Sequence, residues 1–274
     1  MVSKSTLGSQ AEYVVSHLEC ERIDLPDAVA IRTPTAPSYY FGNLLSLKYP
    51  ITSKSYSQWI ELFDHAFSDI SGVEHYTFTW TRTDDFAAED VKPFLEAHFE
   101  YEETHILSMK RSDCTEPSGL NEKLTYRRFE TDDDWRQWLA LNVAQDGGQH
   151  DKDGFVLFLE GRIRNYKNLS GRGLGEYLGA FDGTTLVGYA GLYHLEGMAR
   201  FQNVHVRPAF QNQNIARSLI TKLIQRANAS VNTLIIVADE NHHASRLYQS
   251  LGFAISEREC SVCWWPDNPA NSFK

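Results

Sequence analysis

The sequence contains no apolar run near the ~20 residues that a membrane-spanning helix needs. Its first residues, Met1-Val2-Ser3-Lys4-Ser5-Thr6, hold no apolar stretch of the secretory-leader kind. Only four cysteines occur in 274 residues, too few for a disulfide framework in a chain of this length. Basic residues are also short: 26 Lys and Arg stand against 36 Asp and Glu. A nucleic-acid surface needs a basic stripe, so the electrostatic field here has the wrong sign for that partner. What is plentiful is apolar surface. Hydrophobic residues make up 42% of the chain and charged residues 23%, enough to offset the ordering entropy of a folded protein. The expectation is a cytoplasmic protein with neither membrane nor nucleic acid as partner, and a monomer or homodimer.

The acid excess is uneven. Residues 1–120 carry nine basic and nineteen acidic side chains, whereas residues 121–274 carry seventeen of each. At this division lies Ser112-Asp113-Cys114-Thr115-Glu116-Pro117-Ser118-Gly119-Leu120-Asn121, small, polar and turn-forming. It reads as a linker between domains at 1–120 and 121–274.

The second half alternates helical and extended patterns. Thr131 followed by Asp132, Asp133 and Asp134 reads as an N-cap with acids in the first turn. Helical spacing continues from Trp135 to Leu141 and from Phe155 to Tyr166. Strands are predicted at 176–181, at 185–193 after the Asp182-Gly183 turn, and at 200–206. An amphipathic helix at 214–227, a strand at 233–238, a helix at 243–251 closed by Gly252 and a strand at 253–262 follow. The order is ααβββαβαβ, an α/β chain with a mixed sheet.

Two stretches carry the chemistry. Val206-Arg207-Pro208-Ala209-Phe210-Gln211-Asn212-Gln213-Asn214-Ile215-Ala216 joins a strand end to the first turn of a long helix. Such a turn offers unpaired N–H groups and the positive end of the dipole to a pyrophosphate. The second stretch, Asn241-His242-His243-Ala244-Ser245-Arg246-Leu247-Tyr248-Gln249-Ser250-Leu251-Gly252-Phe253, sets Ala244 and Tyr248 one helical turn apart.

At these residues, over roughly 121–263, the chain resembles the GNAT superfamily of acyl-coenzyme A-dependent N-acyltransferases. The family pattern V-x-P-x-x-[RQ]-x-x-[GA]-x-[GA] is met at Val206, Pro208, Gln211 and Ala216, with Asn214 departing from its first small position. Asn is the non-glycine residue that best tolerates left-handed backbone, which keeps the loop possible. The pattern N-x-x-A-x-x-L-Y-x-x-x-G-F is met throughout. The resemblance implies a GNAT fold and acetyl-CoA as co-substrate, with no metal. It implies that Val204, His205 and Val206 pair with the pantetheine arm. Gln211, Asn212, Gln213, Asn214, Ile215, Ala216 and Arg217 are implied to surround the pyrophosphate. Asn241 and Ala244 are implied to meet the coenzyme, and Tyr248 to stand near its sulfur as catalytic acid.

Family members often carry a glutamate base on the pantetheine strand, but Arg200-Phe201-Gln202-Asn203-Val204-His205-Val206 has no carboxylate. His194, Glu196 and His205 are the nearby candidates, and the residues alone do not choose among them.

The first half reads as a degenerate second GNAT-like unit. Phe41-Gly42-Asn43-Leu44 resembles Phe201-Gln202-Asn203-Val204, and a helix (55–68), strand (73–80), helix (88–97) and strand (101–109) follow. Phe94 stands where Tyr248 does in the other half. Tyr49-Pro50-Ile51-Thr52-Ser53-Lys54 lacks the coenzyme loop. The leading functional reading is an N-acetyltransferase acting on a primary amine of a small molecule or protein. The alternatives are a non-catalytic acyl-coenzyme A binder, and a tandem-domain aminoacyl transferase, which the acidic first half opposes.

Two other features are set aside. Gly171-Arg172-Gly173-Leu174-Gly175 follows a helix and precedes a strand, the reverse of a phosphate loop's context. Cys260 and Cys263 form a lone C-x-x-C on a strand, whose alternation sends the thiols to opposite faces.

Overall fold

Thr131 accepts a hydrogen bond from the N–H of Asp134, and the Asp134 carboxylate reaches back to the N–H of Thr131. This reciprocal cap starts α4 (Asp132–Asp146), as the run of acids predicts. The computed structural model describes residues 6–115, 117–147, 152–239 and 244–266. They fall into two compact units, which interleave along the chain. One comprises residues 1–106, 237–242 and 255–274, the other residues 107–236 and 243–254.

The second unit is built on the strands β6 (Thr125–Arg128), β7 (Gly175–Asp182), β8 (Thr185–Leu195), β9 (Met198–Val206) and β10 (Thr233–Asp239) as far as Ile236, in the order β10-β9-β8-β7-β6. The β6–β7, β7–β8 and β8–β9 pairs are antiparallel, and β9–β10 is parallel. Gly183, at φ +58°, makes the β7–β8 turn. α4 and α5 (Lys152–Gly171) pack with β7 and β8. Between them lies an aromatic core in which Trp138, Tyr166, Tyr177, Tyr189 and Tyr193 are all essentially buried. α6 (Ile215–Arg226) buries Leu219, Ile220, Leu223 and Ile224, and α7 (Ala244–Ser250) follows β10.

The first unit holds α1 (Leu7–Ser16), β1 (Glu21–Asp24), β2 (Ala28–Arg32), β3 (Leu44–Leu47), α2 (Tyr56–Phe67), β4 (Tyr76–Thr81), α3 (Lys92–Glu96) and β5 (Glu100–Lys110) as far as Ile106. β11 (Ala254–Trp264) completes it, in the order β1-β2-β3-β4-β11-β5. β3 and β4 run parallel, with Leu45 opposite Phe78. The alternation β3-α2-β4-α3-β5 thus matches β9-α6-β10-α7-β11. Trp59, Phe63, Phe78, Trp80, Phe94 and Phe99 fill the core of this unit.

Sequence and structure differ in four places. α1, β1, β2 and β6 have no counterpart in the sequence reading, because each is short or lacks clean alternation. The helix expected at 88–97 is a 3-10 turn at Ala88–Val91 followed by five α-helical residues, with Pro93 in the first turn. β11 was expected to close the second half, but it pairs antiparallel with β4, Val262 opposite Phe78. The composition-based division at 120 is linear, whereas the packing units are not.

Candidate active site

β9 carries the centre of the site. Its parallel register with β10 runs over Met198–Thr233, Ala199–Leu234 and Arg200–Ile235. Beyond Arg200 no further β9–β10 pair occurs among the described residues. On its other side β9 pairs Gln202 with Gly191 and His205 with Tyr189, so two residues, Asn203 and Val204, oppose one on β8. This is a β-bulge, and Asn203 takes it up with φ +43°. The far half of β9, residues 201–206, is therefore bent and lies outside the parallel register.

The chain then enters the loop before α6. Gln211 donates from Nε2 to the Val206 carbonyl at 3.4 Å. Asn212 and Asn214 both adopt left-handed backbone, φ +59° and +60°. The departure from a small residue at 214 is thus met by a residue whose backbone takes that conformation. Asn214 is the N-cap of α6, and its side chain makes no capping bond. That side chain instead donates from Nδ2 to the Gly119 carbonyl at 2.8 Å. Asn121 returns the contact, donating to the Gln213 carbonyl at 2.9 Å, and its N–H donates to Ser218 Oγ at 2.7 Å. The loop is held by these polar contacts while the N–H groups of the first turn of α6 are left without a side-chain acceptor. Ile215 is buried, and Arg217 donates to Ser250 Oγ at 2.9 Å, linking α6 to the end of α7.

On α7, Tyr248 is 6% exposed, and burial pushes its hydroxyl up to about 12. It is therefore protonated at neutral pH, as an acid must be. Ala244 opens this helix. Asn241 lies outside the described residues.

A cavity of about 320 Å³ opens beside the bulge, lined by Asn142, Gln145, Asp146, Phe155, Tyr189, Asn203, Val204 and His205. Of the three base candidates, only His205 lines it. His194 lies at 3.2 Å from the Gly173 carbonyl, and Glu196 sits at φ +49° in the β8–β9 turn. Both belong to the opposite end of the strand pair, about 20 Å from His205 at ~3.3 Å per residue. The His205 ring stacks on Tyr189 at 5.3 Å with an interplanar angle of 26°. Burial, and then the positive charge of Arg207, lower the His205 pKa from its ordinary value. Tyr189 is itself hydrogen-bonded to Asn142, whose Nδ2 donates to the Trp138 carbonyl at 2.8 Å.

Sequence reasoning missed Asn142, Asp146, Phe155 and Tyr189, because each comes from a different part of α4, α5 or β8 with no motif around it. Asn203 left a signal, being of a residue type that accepts positive φ. The set-aside features are structural: Cys260 meets Tyr101 Oη and Cys263 meets Thr77 Oγ1, both at 3.2 Å, and both thiols are buried. No cluster of three His, Cys, Asp or Glu side chains able to hold a metal ion occurs among the described residues. No helix among them is long and apolar enough to cross a membrane.

Residues 130–253 match the acetyltransferase (GNAT) family. The N-alpha-acetyltransferase RimI of Mycobacterium tuberculosis is 42% identical over 81 residues, 28% of this chain. The chain spans about half (51%) of that relative's length. Among solved structures, a conserved protein of unknown function from Staphylococcus epidermidis superposes with a TM-score of 0.73 at 15% identity, over 93% of this chain and 98% of the other. A GCN5-related N-acetyltransferase from Kribbella flavida gives 0.66 at 10% identity, over 99% of each chain. At such identities these two likenesses speak for the fold alone. The domain at residues 130–253 is thus a GNAT acetyltransferase domain.

Proposed function

We propose that the protein is an N-acetyltransferase that moves an acetyl group from acetyl-CoA to a primary amine. The observation that carries this reading is the bent end of β9 running directly into an uncapped helix start. A strand whose outer residues lie beyond the parallel register has backbone groups free to pair with the amides of pantetheine. The left-handed Asn212 and Asn214 lead into the N–H groups of the first turn of α6, which suit a pyrophosphate.

In this reading Val204, His205 and Val206 hold the arm, and Gln211 to Arg217 surround the diphosphate. Asn241 and Ala244 complete the coenzyme contacts. The amine nitrogen attacks the thioester carbonyl, the new C–N bond forms and the C–S bond breaks. Tyr248 gives its proton to the departing sulfur, whose thiol pKa of about 8.5 makes it a receptive base. The acceptor class is a primary amine, of a small molecule or of a protein N-terminus. The RimI relative acts on the latter by its name. The first unit, with Phe94 in place of a tyrosine and no coenzyme loop, is a degenerate GNAT-like copy that supports the active one.

The test is calorimetric titration with acetyl-CoA, followed by thiol-release assays over a panel of peptides with free N-termini, aliphatic diamines and amino sugars. One site per chain and turnover of at least one amine are expected. Binding without any turnover would favour the non-catalytic binder, and two sites per chain would remove the degenerate-copy reading.

A further inference from the structure

A second cavity, of about 300 Å³, lies wholly within the second unit, at the end of its sheet away from the turn before α6. α6 spans the distance: Ile215 begins it beside that turn, and Arg226, ~16 Å further on at 1.5 Å per residue, lines the cavity. Small-molecule sites begin at about this volume.

The floor of the cavity is apolar. Leu192 of β8, Ala199 of β9, Leu223 of α6 and Val231 line it, each 5% exposed or less. Charged and polar groups stand around that floor. Glu176 and Arg226 neutralise one another through a two-point contact, 2.6 Å from Nε and 2.8 Å from Nη2. Arg128, at the end of the edge strand β6, is different. Its ion-pair partner among the described residues is Glu130 at 3.9 Å, and both side chains are largely exposed. It is the cation of the lining that no close carboxylate balances. On another side His194 Nε2 lies 3.2 Å from the Gly173 carbonyl. A carbonyl only accepts, so Nε2 carries the proton there, and in the neutral ring Nδ1 is an acceptor. The end of α6 adds the negative pole of its dipole.

We propose that this cavity binds a free α-amino acid with an aliphatic side chain, at a site separate from that of acyl transfer. Each part of such a molecule finds a partner. The carboxylate meets the guanidinium fork of Arg128. The ammonium donates to His194 Nδ1 near the negative end of α6. The aliphatic chain covers the buried floor. A simple amine leaves Arg128 unmatched, and a phosphate sets a second negative charge beside Glu176 and the helix end. The site is independent of the acyl-transfer reading, because it uses no residue of α7, of the turn before α6 or of the bent end of β9.

The experiment is calorimetric titration of the full chain with L-leucine, with 4-methylpentanoate, which lacks its amino group, and with 3-methylbutylamine, which lacks its carboxylate. Leucine should bind one site per chain with Kd below about 1 mM, and equally well when acetyl-CoA is saturating. Each analogue should bind about tenfold more weakly or worse. Arg128→Gln should weaken leucine about tenfold or more, and His194→Phe should bind leucine no better than 4-methylpentanoate. In the wild type, leucine should protect His194 from diethyl pyrocarbonate while the exposed His65 still reacts, read by mass spectrometry. That measurement carries the test if a variant does not fold. Absence of leucine binding, its displacement by acetyl-CoA, equal binding of either analogue, or undiminished binding to Arg128→Gln overturns the proposal.

Discussion

Asn214, in left-handed backbone at the start of α6, donates its side-chain amide to the Gly119 carbonyl at 2.8 Å. One residue thereby performs two tasks: it turns the chain into the helix, and it pins a segment nearly a hundred positions earlier.

The two tasks separate by mutation. Asn214→Gly keeps the turn and loses only an exposed hydrogen bond, about 0.5–1 kcal/mol. Asn214→Ala loses the bond and also the short polar side chain that makes Asn more tolerant of left-handed backbone than Ala, adding up to about 1 kcal/mol. Thermal unfolding should rank wild type, Gly and Ala in that order. Acetyl-CoA affinity should follow the backbone, so that Gly binds like wild type and Ala binds several-fold more weakly.

Tyr248→Phe removes only a hydroxyl from a ring that is already buried. Stability and coenzyme affinity should hold, while kcat falls by ~10²–10⁴. The loss should shrink with an acyl donor whose leaving thiol is more acidic. In the wild type the hydroxyl, raised to about 12, should cause no alkaline fall in rate below pH 10. Full turnover of the variant, with chemistry rate-limiting, would make the tyrosine a packing residue.

Asp134 is buried, and desolvation alone would raise its pKa. The Arg127 guanidinium, with the N–H groups of Glu130 and Thr131, outweighs that and holds the carboxyl well below its usual range. A depressed folded-state pKa gives stability that is present above the unfolded value, about 3.9, and lost as pH falls below it. Denaturant midpoints of the wild type should fall between pH 4 and pH 2. Asp134→Asn should be less stable by about 2 kcal/mol at pH 7 and should show a shallower acid decline.

The thiols should divide two and two. Burial raises all four thiols, Cys260 to about 11 and Cys263 to about 12, but Cys20 and Cys114 keep partial exposure. A maleimide at pH 7.5 should label Cys20 and Cys114 in the native protein, and all four only after unfolding. Mass spectrometry of the labelled peptides reads the result.

The legible parts of the sequence were those whose physics is local. A helix start with a turn before it, as at 206–216, writes its chemistry into adjacent residues. So does the Thr131 cap, whose partner is three positions away. The cavity was illegible because Asp146, Tyr189 and His205 meet only after α4, β8 and β9 have packed. β6, Thr-Tyr-Arg-Arg, lacks any apolar alternation because it is an edge strand with exposed ends. The partner of β11 was hidden for a further reason: its apolar pattern specifies burial but does not say against which strand.

That partner has a consequence for how the protein is made. β11 lies between β4 and β5, so the first unit keeps an unfilled slot in its sheet until residues 254–264 have been synthesised. At about 5–20 residues per second the wait after β5 is on the order of ten to thirty seconds. During that time β4 and β5 expose backbone edges to any passing strand. A ribosome-stalled chain halted before residue 254 should therefore hold its first 110 residues in a protease-sensitive, chaperone-binding state.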